Sequence, residues 1–211
     1  MQNIREILSN FKKEDYKKNV NLHIHSTCSD GKSTPEEILD QAKKLNYKKI
    51  AISDHNTLKA YENKEILNSE LIIPAVEFDC WYKYFLIHIL GFGIDINNKE
   101  LKELCSKTKA GTKSDIVRFF SYRNPKKIIK AIHNANGIAI LAHPACYWCL
   151  NLNSLVKNLI KIGLDGLEVY YVYSRHRKII KFHSEKKVER IAKKYNLIST
   201  GGTDEHGSLK K

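Results

Sequence analysis

The stretch Asn21-Leu22-His23-Ile24-His25-Ser26-Thr27-Cys28-Ser29-Asp30-Gly31 decides how the rest of this 211-residue chain is read. It sets two histidines two positions apart at the end of a short apolar run and then turns into an acidic loop. Along a strand the side chains alternate between faces, so His23 and His25 point the same way. Two imidazoles side by side at a strand end suit one metal ion. A histidine pair alone is weak ground for a site, and the remaining ligands have to come from elsewhere in the chain.

Working outward, the same arrangement repeats. Residues 20–24, 49–53, 71–78, 84–92, 138–142, 165–169 and 197–200 read as strands from their short apolar runs. A helix is expected to begin at Thr34, with Pro35 in its first turn and Glu37 completing a capping box, and Ile38, Leu39, Ala42 and Leu45 as its buried stripe. Further helices are expected near 61–68, from Asn124-Pro125 to Asn136-Gly137, over 152–162 and over 184–195. Polar residues follow the strand ends: Asp54-His55 after the second, Glu77 in the third, His88 in the fourth, His143-Pro144 after the fifth, Glu168 in the sixth, and Asp204-Glu205-His206 after the last. Alternating strands and helices imply parallel strands with helical crossovers, and barrels of this kind build their sites at the strand ends.

Composition narrows the classes. The formal charge of +13 favours phosphorylated small molecules, nucleotides or nucleic acids as partners, although lysine is spread over the whole length and charge alone does not separate a partner from a lysine-rich composition. No apolar run approaches the ~20 residues of a membrane span, so no membrane partner is expected. Residues 1–20 lack an apolar signal core. The five cysteines, Cys28, Cys80, Cys105, Cys146 and Cys149, are odd in number. Together these point to reduced thiols and a cytoplasmic protein. Cys146-Tyr147-Trp148-Cys149 has no second pair to complete a zinc ribbon. Residues 1–19 are expected to form an N-terminal helical arm on a single domain over 20–211, with a short basic insertion at 97–124.

Collected at or beyond the strand ends, His23, His25, Asp30, His55, Glu77, His88, His143, Asp204 and His206 are nine ligand-type side chains that take in six of the nine histidines. Unrelated histidines would not follow short apolar strands so regularly. Nine ligands are too many for one tetrahedral zinc. They suit two to three divalent transition metal ions, with carboxylates such as Glu77 and Asp204 bridging or balancing charge and imidazoles fit for Zn, Mn or Fe. Such ions lower the pKa of a bound water and clamp a phosphate oxygen, which makes phosphoester hydrolysis the expected chemistry.

In their order, His23-x-His25, Ser29-Asp30-Gly31, Pro35-Glu36-Glu37, Ser53-Asp54-His55, Glu77, His88-Ile89-Leu90-Gly91, His143-Pro144 and Gly202-Thr203-Asp204-x-His206-Gly207 resemble the motifs of the polymerase and histidinol phosphatase (PHP) domain family. The resemblance implies an α/β fold, a distorted seven-stranded (β/α)7 TIM-like barrel, with a trinuclear metal site and phosphoesterase activity through a metal-bridging hydroxide. It implies His23, His25, Glu77 and Asp204 on one ion, Glu77, His88 and His143 on a second, and Asp30, His55 and His206 on the third. Asp54 is a candidate for orienting a ligand imidazole, and His183 for touching the phosphate or serving as an acid. Arg118, Arg123, Arg175 and Arg177 are candidates for a phosphate clamp because a guanidinium offers a two-pronged fork. Glu168 is a site residue or an ordinary strand-end polar group, and Tyr170, Tyr171, Tyr173 and Trp148 either stack a base or pack. The short insertion departs from nucleotide-acting relatives. The expected substrate is a nucleotide, a nucleic-acid 5′ end or a small phosphomonoester. A histidinol-phosphatase-like enzyme, an amidohydrolase-type hydrolase and a non-catalytic nucleic-acid-binding module are the alternatives.

Overall fold

The structure, a computed structural model, describes residues 3–173 and 183–210. Two short helices, α1 (Ile4–Asn10) and α2 (Lys13–Lys18), lead into β1 (Val20–Ile24). Helix α3 (Pro35–Lys44) follows from the predicted signals: Thr34 accepts from the Glu37 amide at 3.2 Å and the Glu37 carboxylate accepts from the Thr34 amide at 2.8 Å. Next come β2 (Lys49–Ile52), α4 (Lys64–Asn68), β3 (Ala75–Tyr82) and β4 (Phe85–Phe92). The basic stretch then forms three short helices, α5 (Lys99–Leu104), α6 (Ala110–Lys113) and α7 (Asp115–Phe119), before α8 (Pro125–Asn134), β5 (Ile138–Leu141), α9 (Leu152–Ile160), β6 (Gly166–Tyr171), α10 (Glu185–Lys194) and β7 (Ile198–Gly202).

The strands do not close into the expected seven-stranded barrel. β1 and β2 form a two-stranded parallel sheet, and β3-β4-β5-β6-β7 form a separate mixed sheet, antiparallel at β3–β4 and β4–β5 and parallel beyond. The predicted parallel arrangement fails first at β3, which returns directly into β4 through a two-residue turn with Lys83 at φ 55°. It fails again at two seams. β3 starts at Ala75 rather than near residue 71, just past Pro74, which has no N–H to give a ladder. Between β2 and the chain around β3 only the isolated bridges Ile50–Ile72 and His55–Glu77 remain, because the chain leaves strand geometry to place residues 53–57. Between β7 and β1 there is one bridge, Ile24–Glu205, and the buried Asn21 side chain stands in for a ladder. It accepts from the Thr203 amide at 3.0 Å and donates to the Thr203 hydroxyl at 2.7 Å.

This layout fixes which side chains face one another. On β3, Val76, Phe78 and Cys80 join the larger core, where Ile128, Ile129 and Ile132 of α8 also lie. Burying each such isoleucine is worth about 1.5–3 kcal/mol. The other face of β3 carries Ala75, Glu77 and Asp79, and these pair across the ladder with Phe92, Leu90 and His88 in that order. Ala75, Leu90 and Phe92 belong to a second, smaller core with Leu8, Ile138, Ile140 and Ile198. The inward face of the hairpin therefore runs from apolar packing to ligand-type residues within three pairs. No helix among the described residues is long and apolar enough to cross a membrane.

Candidate metal centre

Most ligand-type residues are delivered by a strand end or by the turn after it, while Glu77 and His88 come from within the β3–β4 ladder. The loop after β1 doubles back on itself: a side chain at Gly31 would stand 2.1 Å from the His25 carbonyl oxygen, so only glycine lets the chain bring Asp30 beside His25. Gly202 meets β1 in the same way, with a would-be Cβ 2.3 Å from the Cβ of His23. Three residues here adopt left-handed backbone, Asn56 (φ 53°), His143 (φ 27°) and Asp204 (φ 49°). For a ring as bulky as histidine this conformation is strained, and such strain gathers at functional sites. His143 is held there by its amide, which donates to Glu168 Oε2 at 2.8 Å.

The nine predicted ligands come together around Glu77. His23, His25, Glu77 and Asp204 place ligand atoms within 4.8 Å of one another; Glu77, His88 and His143 do so as a second group; Asp30, His55 and His206, joined by His25, do so as a third. Asp204 Oδ1 lies 3.0 Å from His25 Nε2 and 3.5 Å from His23 Nε2, and Glu77 Oε2 lies 3.2–3.3 Å from His23 Nε2, His25 Nε2 and His55 Nδ1. Three of these atoms, His23 Nε2, His25 Nε2 and Glu77 Oε2, are buried without a hydrogen-bond partner. A buried polar atom left unpaired is costly, and three converging on one point are what a site for cations requires. The donor set of imidazoles and carboxylates fits divalent transition metals.

Electrostatics within the protein agree with a charged cluster. Burial opposes ionisation of Glu77, but the imidazoles of His23, His55 and His88 hold its carboxyl well below the usual range. Burial likewise opposes charge on His25, and the Asp204 and Glu77 carboxylates outweigh it, lifting the ring to about 10. His55 goes the other way, because burial outweighs the pull of Asp79 and Glu77. Asp30 is held well below its ordinary value, against its burial, by His206, His55, His25 and Arg118.

The remaining candidates separate. Arg118 is buried and lines the cavity of about 520 Å³ that opens onto the cluster, together with Lys113, Cys146 and Tyr171. Its guanidinium donates to Asp30 Oδ2 at 2.6 Å and to Asp115. Arg123 does not line this cavity; it donates to the Leu104 carbonyl and the Ser121 hydroxyl. Arg175 and Arg177 fall outside the described residues. His183 is buried elsewhere, with Nε2 2.6 Å from the Cys149 carbonyl and Nδ1 3.1 Å from Lys187 Nζ. Among the described residues Asp54 has no imidazole partner: it accepts from Ser26 and Ser29 in the loop that carries Asp30. Glu168 lies 3.0 Å from His23 Nδ1, and the Tyr171 hydroxyl donates to Asp204 at 2.8 Å. The sequence reading passes over Asp79, whose carboxylate forms a further group with His55 and His88. Its signal is the two-residue spacing from Glu77 on one strand face, the alternation that already pairs His23 with His25.

Comparison with known proteins places this geometry. The chain is 23% identical over 264 residues to a phosphoribosyl 1,2-cyclic phosphate 1,2-diphosphodiesterase of Eggerthella lenta, covering 89% of this chain and 94% of that one. It is 29% identical over 136 residues to the 3′,5′-nucleoside bisphosphate phosphatase of Chromobacterium violaceum, covering 63% of this chain and 44% of that one. A crystal structure from Bifidobacterium adolescentis, described as that of a metal-dependent phosphoesterase, superposes with a TM-score of 0.68 at 22% identity, over 92% of this chain and 89% of that one. The PHP domain profile matches residues 21–200, a span that takes in every ligand-type residue except Asp204 and His206, and the chain belongs to the PHP domain family.

Proposed function

We propose that this chain is a metal-dependent phosphoesterase that hydrolyses a nucleotide or the 5′ end of a nucleic acid, with two to three divalent transition ions held by the nine residues around Glu77. The observation that carries this reading is the convergence of three buried ligand atoms with no hydrogen-bond partner, His23 Nε2, His25 Nε2 and Glu77 Oε2. Ions bound there supply Lewis acidity toward a phosphoryl oxygen and toward water. The protein's own groups do the rest. Glu168 fixes the His23 ring through Nδ1 and leaves Nε2 directed at Glu77 and Asp204. Tyr171 holds Asp204 Oδ2, so that Oδ1 faces the histidines. Arg118 and Lys113, on the cavity wall, offer positive charge to the substrate phosphate. The loop anchored by Asp54 keeps Asp30 in place.

A base-bearing substrate is favoured by the aromatic side chains on and after α7, the helix that carries Arg118. Phe120 and Tyr122 are exposed, and Trp81 packs against Phe119 and Tyr122. Flat exposed rings offer stacking surface to a nucleobase. A cytoplasmic setting accompanies this reading, with all five cysteines as thiols.

The deciding experiment counts metal on purified protein and screens phosphate esters before and after chelation. The screen includes an aryl phosphate, a 3′,5′-bisphosphonucleotide, histidinol phosphate and 5′-phosphorylated RNA. Bound transition metal and chelator-sensitive hydrolysis, with the nucleotide or RNA preferred, is the expected result. No bound metal and no metal-restored hydrolysis of any substrate would overturn it.

A further inference from the structure

Asp79 stands directly across the β3–β4 ladder from His88 and is almost completely buried. One of its oxygens, Oδ1, lies 3.1 Å from His88 Nε2 and 3.3 Å from His55 Nδ1. The other, Oδ2, accepts a close hydrogen bond from the Asn56 amide group and lies 3.7 Å from Arg118 Nε. The Asp79 backbone amide donates to Asn56 Oδ1 at 3.1 Å, so the side chain of Asn56 clamps this residue at both ends.

The two rings that meet Asp79 each serve a different group with their second nitrogen. His88 Nδ1 lies 3.1 Å from Glu77 Oε1, in the group completed by His143. His55 Nε2 lies 3.7 Å from Asp30 Oδ2, in the group completed by His206. A neutral imidazole has one N–H and one lone pair. Each ring must therefore direct its lone pair either toward Asp79 or away from it. A divalent ion placed on Asp79 would draw both lone pairs there and turn N–H groups toward Glu77 and Asp30, stripping the two other groups of a ligand each. The nearby Arg118 cation also disfavours a further ion at that carboxylate.

We infer that Asp79 is a positioning residue: its Oδ1, which faces His55 Nδ1 and His88 Nε2, takes up the N–H of each ring when metal holds the opposite nitrogen, and so directs the free nitrogens to two separate metal positions. One carboxylate oxygen then sets the tautomer of two ligands at once, which ties occupancy of the Asp30 group to that of the Glu77–His88–His143 group. The inference rests on the metal-dependent reading above. It assigns a role to a residue that the nine-ligand scheme leaves out.

The test compares Asp79→Ala and Asp79→Asn with the parent chain in Mn²⁺ and Zn²⁺ titrations, in metal counts at saturating ion, and in the visible spectrum of the Co²⁺-loaded protein. Thermal melts of the chelated proteins report whether each variant is folded. The expected result is a full complement of ions at saturation, bound about 10–100-fold more weakly in Asp79→Ala and less weakened in Asp79→Asn, whose carbonyl still accepts a hydrogen bond, with a shifted Co²⁺ spectrum in both. Folded variants with unchanged affinity and spectrum would overturn the positioning role. Loss of one whole ion at saturation would also overturn it and make Asp79 a direct ligand. A parent chain that binds no metal would instead sink the metal-dependent reading.

Discussion

The carboxylate of Asp54 grips Ser26 twice, accepting from its amide at 2.7 Å and from its hydroxyl at 2.6 Å. A third bond, from the Ser29 hydroxyl at 2.6 Å, makes Asp54 the buried post around which the loop of residues 26–31 is wound. Hydrogen bonds to a charged acceptor contribute roughly 1.5–3 kcal/mol each and are not additive. Asp54→Ala is therefore expected to destabilise the fold by about 2–4 kcal/mol in urea unfolding. Because the loop carries Asp30, the variant should also lose an ion from the Asp30 group while keeping those on Glu77. Metal counts near the parent value together with an unchanged urea midpoint would refute the anchoring role.

Gly202→Ala tests the seam between the two sheets. The added methyl would meet His23 Cβ at 2.3 Å and the His23 nitrogen at 2.6 Å, both on a strand that cannot give way cheaply. Overpacking of this kind costs about 1–3 kcal/mol. The displaced His23 should also weaken metal binding. Gly207→Ala is the comparison, since its methyl would meet only the Glu205 side chain, at 3.3 Å. Urea midpoints should fall for the first variant and stay within about 0.5 kcal/mol of the parent for the second; equal midpoints would argue against the close approach of β7 to β1.

These two residues show what the sequence makes legible. Motif spacing singles out Asp30, Glu77 and six histidines because their signal is local: each lies in or shortly after a short apolar run. Asp54 reads from the sequence as a partner for an imidazole, but its partners are two serines in a loop some 25 residues earlier, a fact of three-dimensional return that spacing does not encode. The barrel expectation fails for a related reason. Alternation predicts strands and helices well, yet the closing of a sheet depends on hydrogen-bond ladders at its seams. There Pro74 and the side chain of Asn21 override it, and the Lys83 turn sets β3 and β4 antiparallel. Asp79 escapes notice because two carboxylates two apart on a strand carry no signal until His55 and His88 face them.

The metal-free protein should lose stability as pH rises above neutrality. His25 is lifted to about 10 and His23 is raised well above its ordinary value, in both cases because carboxylates outweigh burial. A histidine raised in this way stabilises the fold fully below its unfolded value of about 6.5 and loses that contribution as pH climbs through the folded value. Glu77 and Asp204 are lowered despite their burial, so their contribution is present above about pH 4.5 and fades only in acid. Melts of the chelated protein should therefore be highest between about pH 4.5 and 6.5 and decline toward pH 9, more steeply than melts of His25→Asn. Metal must displace those same protons, so apparent affinity should rise across the span where the apo melt falls. A chelated protein whose melt is flat or rising from pH 6.5 to 9 would contradict this.

Arg118 should separate metal binding from substrate binding. Its buried guanidinium donates to Asp30 and Asp115 and lies beside Asp79, so it already occupies part of the charge environment that an ion on Asp30 would share. Removing it in Arg118→Ala leaves the buried Asp79 and the partly buried Asp30 without their cation, which costs the metal-free protein about 3–5 kcal/mol. An ion bound at Asp30 replaces much of that lost charge. The loaded variant should accordingly be destabilised far less than the chelated one, and its affinity for the ion at the Asp30 group should rise rather than fall. For the substrate the sign is opposite: with the fork gone from the cavity wall, KM for a phosphate ester should increase about 10-fold or more at saturating metal, consistent with about 1.5–3 kcal/mol for a hydrogen bond to a charged group. Melts with and without chelator, a metal titration and steady-state kinetics on one preparation check all three. If metal affinity and substrate affinity move together, Arg118 serves the ion site alone and its place in phosphate binding is refuted.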